Sequence, residues 1–440
     1  MVRVVVFARV LRPFQQFARS QSFGAVVLLA AAGLALLWAN SPWRSAYFGL
    51  WSTALSVGPA SHPLTLSALH WINDGLMALF FLVVGLELKR ELLVGELASP
   101  GQALLPIAAA IGGMAGPALI YAGLNTGGGP AAVGWGIPMA TDIAFALGVL
   151  RLLGAGLPPA LIVFLAALAI VDDLGAVVVI AFFYTQGLSP TYLLYAGAAL
   201  LLLFALNRLR VRRVAPYLVV GAGLWYALHG SGVHATIAGV LLAAAIPVRT
   251  RIDAAEYSDQ MRRLIAEFDG AETGDRLVIT SRGQQEAIHA MECASEGVQA
   301  PLLRLEHALH SFVALAVMPL FAFANAGVDL SMLTLDGAGR QVTWGVAAGL
   351  LVGKPLGIFG ASWLAVRWRW AALPTNVTWP MMHGAAWLGG IGFTMALFVA
   401  GLAFGTSPLQ DAAKLGILAA SAAAGIVGAA ILVRATRRTP

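Results

Sequence analysis

The stretch PALIVFLAALAIVDDLGAVVVIAFFYT, residues 159–185, is apolar throughout except for two adjacent aspartates, Asp172 and Asp173. A run of this length is typical of a helix that crosses a bilayer, which places both carboxylates near the middle of the membrane. A charge at that depth costs at least about 2.5–3.5 kcal/mol, so acids there line ion pathways far more often than they hold a fold together. The stretch therefore predicts a membrane helix that carries an ion site.

The rest of the chain has the composition of a polytopic membrane protein. Of its 440 residues, 59% are hydrophobic and only 11% are charged. The net charge of +6 does not indicate a nucleic-acid partner, because the arginines lie in short tracts between apolar segments. Cys293 is the only cysteine, which excludes an intrachain disulfide and a thiolate metal cluster.

Apolar stretches long enough to cross a membrane predict an all-α polytopic membrane protein with twelve transmembrane helices, which we call spans 1 to 12. They lie at 23–39, 68–88, 103–124, 132–152, 159–184, 191–206, 215–229, 232–247, 307–326, 342–366, 379–404 and 413–433. Lys and Arg concentrate in cytoplasmic segments of membrane proteins. With both termini in the cytoplasm, 23 of the 27 basic residues lie inside, all except Arg44, Arg340, Lys354 and Lys414.

The spans divide the chain into five regions. They are a cytoplasmic N-terminal segment 1–22, spans 1–8 at 23–248, a cytoplasmic insertion 249–304, spans 9–12 at 305–433 and a cytoplasmic tail 434–440. The insertion carries ten of the 21 acids and is predicted to be partly disordered, with a surface helix over DAAEYSDQMRRLIAEF.

Two more charges fall halfway along predicted spans, Asp142 in span 4 and Lys354 in span 10. One interpretation is a structural ion pair between spans 5 and 10. Three acids against one lysine leave two carboxylates without a counter-charge, so they need a cation or protons.

Spans 4 and 11 carry helix-breaking residues near their centres, Pro138 in one and Gly389, Gly390 and Gly392 in the other. Opened backbone at that depth is tolerated only beside protein or a wet cavity. Close packing explains glycines as well, and for span 11 both interpretations stay open; for Ala108, Gly112 and Gly116 of span 3 we predict packing. Spans 3–5 and 10–12 enter from opposite sides, which predicts inverted repeats with two interrupted, crossing helices.

Eight stretches, in this order, resemble the NhaA-type sodium/proton antiporters. They are GLELKRELLVGELASP at 85–100, IPMATDIAFALGVL at 137–150, ALAIVDDLGA at 167–176, SGVHATIAGV at 231–240, RLEHALH at 304–310, PLFAFANAGV at 319–328, GLLVGKPLGI at 349–358 and GGIGFTMALF at 389–398. The resemblance implies an electrogenic, pH-regulated antiporter of the bacterial inner membrane that exports Na⁺ or Li⁺ in exchange for protons by alternating access, without a cofactor and not as an enzyme.

Residue roles follow from the same resemblance. Asp172 and Asp173 correspond to the pair that binds Na⁺ and protons, Asp142 with Thr141 to the site where broken helices cross, and Lys354 to a lysine that pairs with Asp172. A pH-response cluster at the cytoplasmic mouth corresponds to Glu87, Glu91 and Glu306, with His307 and His310 nearby, and His234 matches a histidine on the outer side. A homodimer through the outer segment 41–67, which could form a hairpin, is also implied.

The residues alone leave alternatives. Glu87 and Glu91 also fit a solvated helix end, and His234 fits a hydrogen-bonded packing residue. A proton-coupled carrier for an anion or organic solute, a cation channel and a non-transporting receptor are rival functions. The excess of acids favours a cationic substrate, and the sequence shows no selectivity filter. Whether Asp172 or Lys354 releases a proton when Na⁺ binds stays open.

Overall fold

A bundle of helices with one small hairpin forms the architecture of the chain, for which a computed structural model describes residues 21–58, 63–154, 156–185, 187–271, 281–331 and 337–437. The helices are α1 Gln21–Ala39, α2 Arg44–Ser52, α3 Ala68–Val94, α4 Pro100–Leu124, α5 Ile143–Leu152, α6 Pro159–Phe183, α7 Pro190–Arg208, α8 Ala215–Ser231, α9 Ile237–Ala245, α10 Ala254–Gly270, α11 Arg282–Val298, α12 Pro301–Asn325, α13 Gly337–Arg367, α14 Trp379–Gly389, α15 Phe393–Phe404 and α16 Pro408–Thr436. A 3₁₀ helix, Pro130–Met139, precedes α5. Turns of π-helix interrupt α3, α12 and α13 at Trp71–Leu76, Val313–Val317 and Gly349–Gly353.

Membrane-crossing helices account for most of the described residues. Seven helices there are long and apolar enough to cross a bilayer, or up to ten segments if each of three bent pairs is one span. The chain is thus polytopic, and the number twelve stays a prediction. Predicted spans 7 and 8 correspond to α8 and α9, which have 17 and 9 residues. At 1.5 Å per residue they measure roughly 26 and 14 Å, less than the ~30 Å hydrocarbon core.

Two of the bent pairs are interrupted segments. The chain bends by 41° between the 3₁₀ helix Pro130–Met139 and α5, and by 40° between α14 and α15. In the second break, a Cβ on Gly390 would lie 2.7 Å from the Leu350 carbonyl oxygen, and one on Gly392 would lie 3.2 Å from the Ala140 carbonyl oxygen. These glycines therefore both open the helix and allow close packing, the two explanations that the sequence left open.

Glycines also bring α4 and α13 into backbone contact. A Cβ on Gly112 would lie 2.3 Å from the Gly357 carbonyl oxygen, and one on Gly116 would lie 2.5 Å from that of Gly353. The close packing predicted for Gly112 and Gly116 is confirmed. The contact fixes the position of Lys354 relative to α4, because Lys354 directly follows Gly353.

A lysine fastens α3 to the C-terminus of α9. Lys89 Nζ donates to the carbonyl oxygens of Ala244, at 2.7 Å, and Ile246, at 2.6 Å. Carbonyls at a helix C-terminus lack partners within the helix and attract a cation. Lys89 thus points toward α9, whereas the neighbouring Glu87 and Glu91 line a cavity that does not include Lys89.

The segment 41–67 contains the only strands among the described residues. Strands β1 Ala54–Val57 and β2 Leu64–Ser67 pair antiparallel, with Ala54 opposite Ser67 and Val57 opposite Leu64. The hairpin that the sequence left open is therefore formed. Residues 59–62, which join the strands, lie outside the described part.

The described part of the insertion 249–304 is mainly helical, and partial disorder of the insertion stays a prediction. Helix α10 covers the predicted surface helix, and α11 was not predicted. Leu264 of α10 and Ala287 and Ala294 of α11 are buried, which gives each helix an apolar face to cover. The backbone N–H of Arg251 donates to the Gly297 carbonyl oxygen at 2.8 Å and closes the base of the pair. Residues 272–280 lie outside the described part.

Replacing Gly357 with alanine should destabilise the protein, because the added Cβ would lie 2.0 Å from the Gly112 carbonyl oxygen. Overpacking of this kind costs about 1–3 kcal/mol. Gly360→Ala on the same helix is the matched control, since a Cβ there meets nothing within 4 Å. We expect the control to leave stability unchanged or to raise it by up to ~1 kcal/mol. Thermal unfolding in detergent measures both, and equal midpoints would contradict the packing contact.

Candidate functional site

A buried ion pair joins α13 to α6. Lys354 Nζ lies 2.7 Å from Asp172 Oδ2, and the two side chains are 0% and 1% exposed. Lys354 also donates to the carbonyl oxygen of Met139, the last residue of the 3₁₀ helix. Carbonyls at a helix C-terminus carry a partial negative charge. One ammonium group thus compensates both a carboxylate and a broken helix end.

Asp142 caps two helices at once. It is the N-cap residue of α5, where its Oδ1 accepts from the Phe145 N–H at 2.9 Å. Its Oδ2 accepts from the N–H of Thr394, at 3.1 Å, and from the Thr394 hydroxyl. Thr394 is the second residue of α15, so a single carboxylate offsets the positive N-terminal ends of both second half-helices.

The two breaks are also bonded through their backbones. The Thr141 hydroxyl donates to the Gly389 carbonyl oxygen at 2.9 Å, and the Asp142 N–H donates to the Ile391 carbonyl oxygen at 2.7 Å. Both acceptors lie where the helical ladder is interrupted. Each opened backbone therefore satisfies part of the other, as buried polar groups must.

Asp173 is the exception among these charges. It is 0% exposed, and neither carboxylate oxygen has a hydrogen-bond partner among the described residues. The Oδ1 atom of Asp172 is in the same condition. A desolvated carboxylate without a partner is costly, and a hard cation or a proton removes that cost. These oxygens can bind a small cation, whereas both oxygens of Asp142 already accept from protein donors.

A cavity of about 820 Å³ connects Asp142 with a charged rim. Apolar side chains such as Phe80, Leu147 and Met395 form much of its wall. The charged residues of the rim are Glu87, Arg90, Glu91, Glu96, Arg151 and His310. The cavity extends from the rim to Asp142 at the broken helices, and its lining includes neither Asp172 nor Asp173.

Ion pairs tie the rim together. The contacts are His310 Nδ1 to Glu87 Oε1 at 3.5 Å, Arg90 Nη2 to Glu91 Oε1 at 3.2 Å and Arg90 Nε to Glu306 Oε1 at 3.4 Å. Glu306 is 7% exposed, and its other oxygen has no hydrogen-bond partner in the described part of the chain. The structure thus groups four residues of the predicted pH-response cluster, while His307 is exposed beside them.

His234 lies apart from this rim. Its Nδ1 is 3.9 Å from Asp74 Oδ1, and Nδ1 of His229 is 3.6 Å from the other oxygen of Asp74. Asp74 and Glu87 lie on the same helix thirteen residues apart, which is roughly 20 Å at 1.5 Å per residue. Sequence reasoning missed Asp74 and His229, although an acid inside predicted span 2 was a usable signal.

Comparison with known proteins gives a family over nearly the whole chain. Residues 15–432 match the family described as Na⁺/H⁺ antiporter 1. The chain is 52% identical to the Na⁺/H⁺ antiporter NhaA of Oleidesulfovibrio alaskensis, over 96% of this chain and 93% of that protein. It is 49% identical to the protein of the same name from Acidithiobacillus ferrooxidans, over 97% and 98%.

Breaking the ion pair from one side should cost more stability than removing it whole. Asp172→Asn leaves Lys354 without its carboxylate, and loss of one partner of a buried pair costs about 3–5 kcal/mol. Adding Lys354→Met should recover much of that loss. The reference pair is Asp411 and Lys414, whose charged atoms lie 3.3 Å apart and in which Asp411 is 45% exposed. Breaking this exposed pair should cost at most ~1 kcal/mol of stability. Thermal unfolding of the single and double variants completes the cycle, and additive effects at Asp172 and Lys354 would contradict the pair.

Proposed function

Because the chain belongs to the Na⁺/H⁺ antiporter family, we propose that it is an electrogenic secondary antiporter that exports Na⁺ or Li⁺ in exchange for protons. The resemblance seen in the sequence motifs is confirmed by the family match, and members of this family are transporters rather than enzymes. The observation that carries the proposal is Asp173, buried with both oxygens unpartnered among the described residues, beside the Asp172–Lys354 pair.

Exchange follows from competition for these oxygens. Na⁺ takes carboxylate oxygens as ligands, and a proton bound to the same oxygens excludes it. A site occupied by one ion or the other, and open to each side in turn, converts a proton gradient into Na⁺ export. If two protons leave for each Na⁺ bound, one net charge crosses per cycle, worth about 2.3 kcal/mol per 100 mV. No cofactor is needed for this cycle.

The residues of the ion site have different roles in the proposal. Asp173 is the principal ligand for Na⁺ and protons, and Asp172 exchanges its lysine for the ion or a proton. Asp142 draws a cation along the cavity but keeps its oxygens on the two half-helices, so it acts through its charge. Thr141 holds one break against the other.

Alternating access is the proposed way in which the site changes sides. Twelve spans, with spans 3–5 and 10–12 as inverted repeats and spans 4 and 11 crossing, would place a pair of breaks at the midplane. The bends of 41° and 40° support this arrangement, as do the two hydrogen bonds that join the breaks. Half-helices that end at the site can move with either half of the bundle.

Regulation by pH is proposed for the rim. Glu87, Glu91, Glu306 and His310, with His307 beside them, share a network in which Arg90 contacts two glutamates. Because imidazole changes charge near neutral pH, protonation there redistributes these ion pairs at the entrance of the cavity. His234 would act separately, at the opposite end of α3.

We also propose a homodimer through the segment 41–67. Among the described residues the β1–β2 hairpin is two strands wide, so the outer edge of each strand has no further strand paired to it, and the β1 side chains are exposed. Pairing with the hairpin of a second copy would satisfy such an edge. Light scattering of the detergent-solubilised protein measures the mass, and a monomer would count against this contact.

Asp173→Asn should abolish exchange. In everted vesicles with an acidified lumen, added NaCl should drive sodium-22 into the lumen and protons out, and the variant should do neither. Asp411→Asn, an exposed acid of α16, is the control and should exchange normally. Sodium-22 uptake without proton release would indicate a channel. Proton-coupled solute uptake without sodium would indicate a different carrier.

The proposed orientation, with both termini and the insertion in the cytoplasm, can be tested on the native cysteine. Cys293 lies exposed on α11 in the insertion. A membrane-impermeant maleimide should label it in everted vesicles and not in intact right-side-out ones. In a Cys293→Ser background, Ser56→Cys on the exposed strand β1 should show the reverse pattern. Labelling of both positions from the same side would contradict the orientation.

A further inference from the structure

The N-terminus of α15 is held at two points, and Asp142 is only one of them. A helix leaves its first four backbone N–H groups without partners inside the helix. The N–H of Thr394 donates to Asp142, whereas the N–H of Phe393 donates to Oγ of Ser421 at 3.1 Å. Ser421 belongs to α16, which starts beyond the C-terminus of α15, and it is 4% exposed. Bulk solvent therefore does not replace this acceptor.

Loss of that acceptor would act on the ion site. The Phe393 N–H would be left buried and unpaired, and its partial positive charge would remain at the end of a half-helix. Asp142 already accepts from the N–H of the adjacent residue, Thr394, and its Oδ1 accepts from the Phe145 N–H of α5. A further donor competes for that carboxylate and weakens its hold on α5. Added positive potential also disfavours a cation nearby.

We propose that Ser421 is a positioning residue of the ion site, which takes one N–H of α15 so that Asp142 can hold both half-helices together. It does not touch the transported ion; it acts through Phe393 and Asp142. The inference rests on the proposed function, because its effect is read from Na⁺ transport. Nothing in the stretch LAASAAAGIVGAA, residues 418–430, marks this serine as different from a packing residue.

A matched pair of serines provides the test. Ser421→Ala removes the acceptor, and Ser421→Thr keeps a hydroxyl at the same position. Ser362→Ala is the control, since Ser362 is also buried but its hydroxyl donates within its own helix, to the Ile358 carbonyl oxygen at 2.7 Å. Proton release from everted vesicles is measured over a series of NaCl concentrations, and thermal unfolding measures the stability of each variant.

For Ser421→Ala we expect the apparent KM for Na⁺ to rise about fivefold at unchanged maximal rate per folded protein, the factor that corresponds to about 1 kcal/mol for one hydrogen bond. Ser421→Thr should restore the KM, and Ser362→Ala should leave it unaltered. An unchanged KM in Ser421→Ala would overturn the inference. So would a lower maximal rate at normal KM shared by both alanine variants, because that pattern is merely structural.

The same measurements separate this inference from the function on which it rests. If the unaltered protein releases no protons on addition of Na⁺ or Li⁺, the proposed function fails and the inference fails with it. If the unaltered protein exchanges normally and Ser421→Ala matches it, the inference alone is overturned. Should Ser421→Thr prove too bulky to fold, the comparison of Ser421→Ala with Ser362→Ala still decides.

Discussion

A charge buried inside a membrane must be compensated by the protein, and this constraint shapes the centre of the fold. Lys354 compensates Asp172 and the C-terminal end of one half-helix. Asp142 compensates the N-terminal ends of two half-helices. The broken helices and the buried charges therefore depend on each other, since each supplies the partners that the other lacks. Asp173 alone is left without such a partner in the described part of the chain.

Backbone contact is what brings those partners into range. The carboxylates of Asp142 and Asp172 are on short side chains, so the half-helices, α6 and α13 must approach closely, and bulky side chains between them would prevent it. Gly112 with Gly357 sets the distance between α4 and α13, while Gly390 and Gly392 let the second break approach Leu350 and Ala140. The glycines are thus a condition for the electrostatics rather than a separate packing feature.

Much of this centre could be predicted from the sequence, because a charge or a helix breaker inside an apolar run is conspicuous. Asp142, Asp172, Asp173 and Lys354 were found in that way, and the family motifs gave their roles. Thr394 and Ser421 could not be found, because neutral hydroxyls in apolar segments carry no signal; Thr394 bonds a residue 252 positions away and Ser421 one 28 positions away. The number of spans is not fixed either, since α8 and α9 are shorter than a bilayer core.

The unequal treatment of the three aspartates is what makes exchange physically reasonable. Successive residues point about 100° apart around a helix, so Asp172 can face Lys354 while Asp173 faces elsewhere. If protein donors filled every carboxylate oxygen, as they do at Asp142, a cation would have to displace them and would bind weakly. If no carboxylate were compensated, the desolvation cost would oppose folding. A site with one acid whose oxygens accept from protein donors, one acid paired to a lysine and one acid without hydrogen-bond partners among the described residues lies between these limits. Such a site can stay folded, and in the proposed cycle the oxygens of Asp173 take either Na⁺ or a proton.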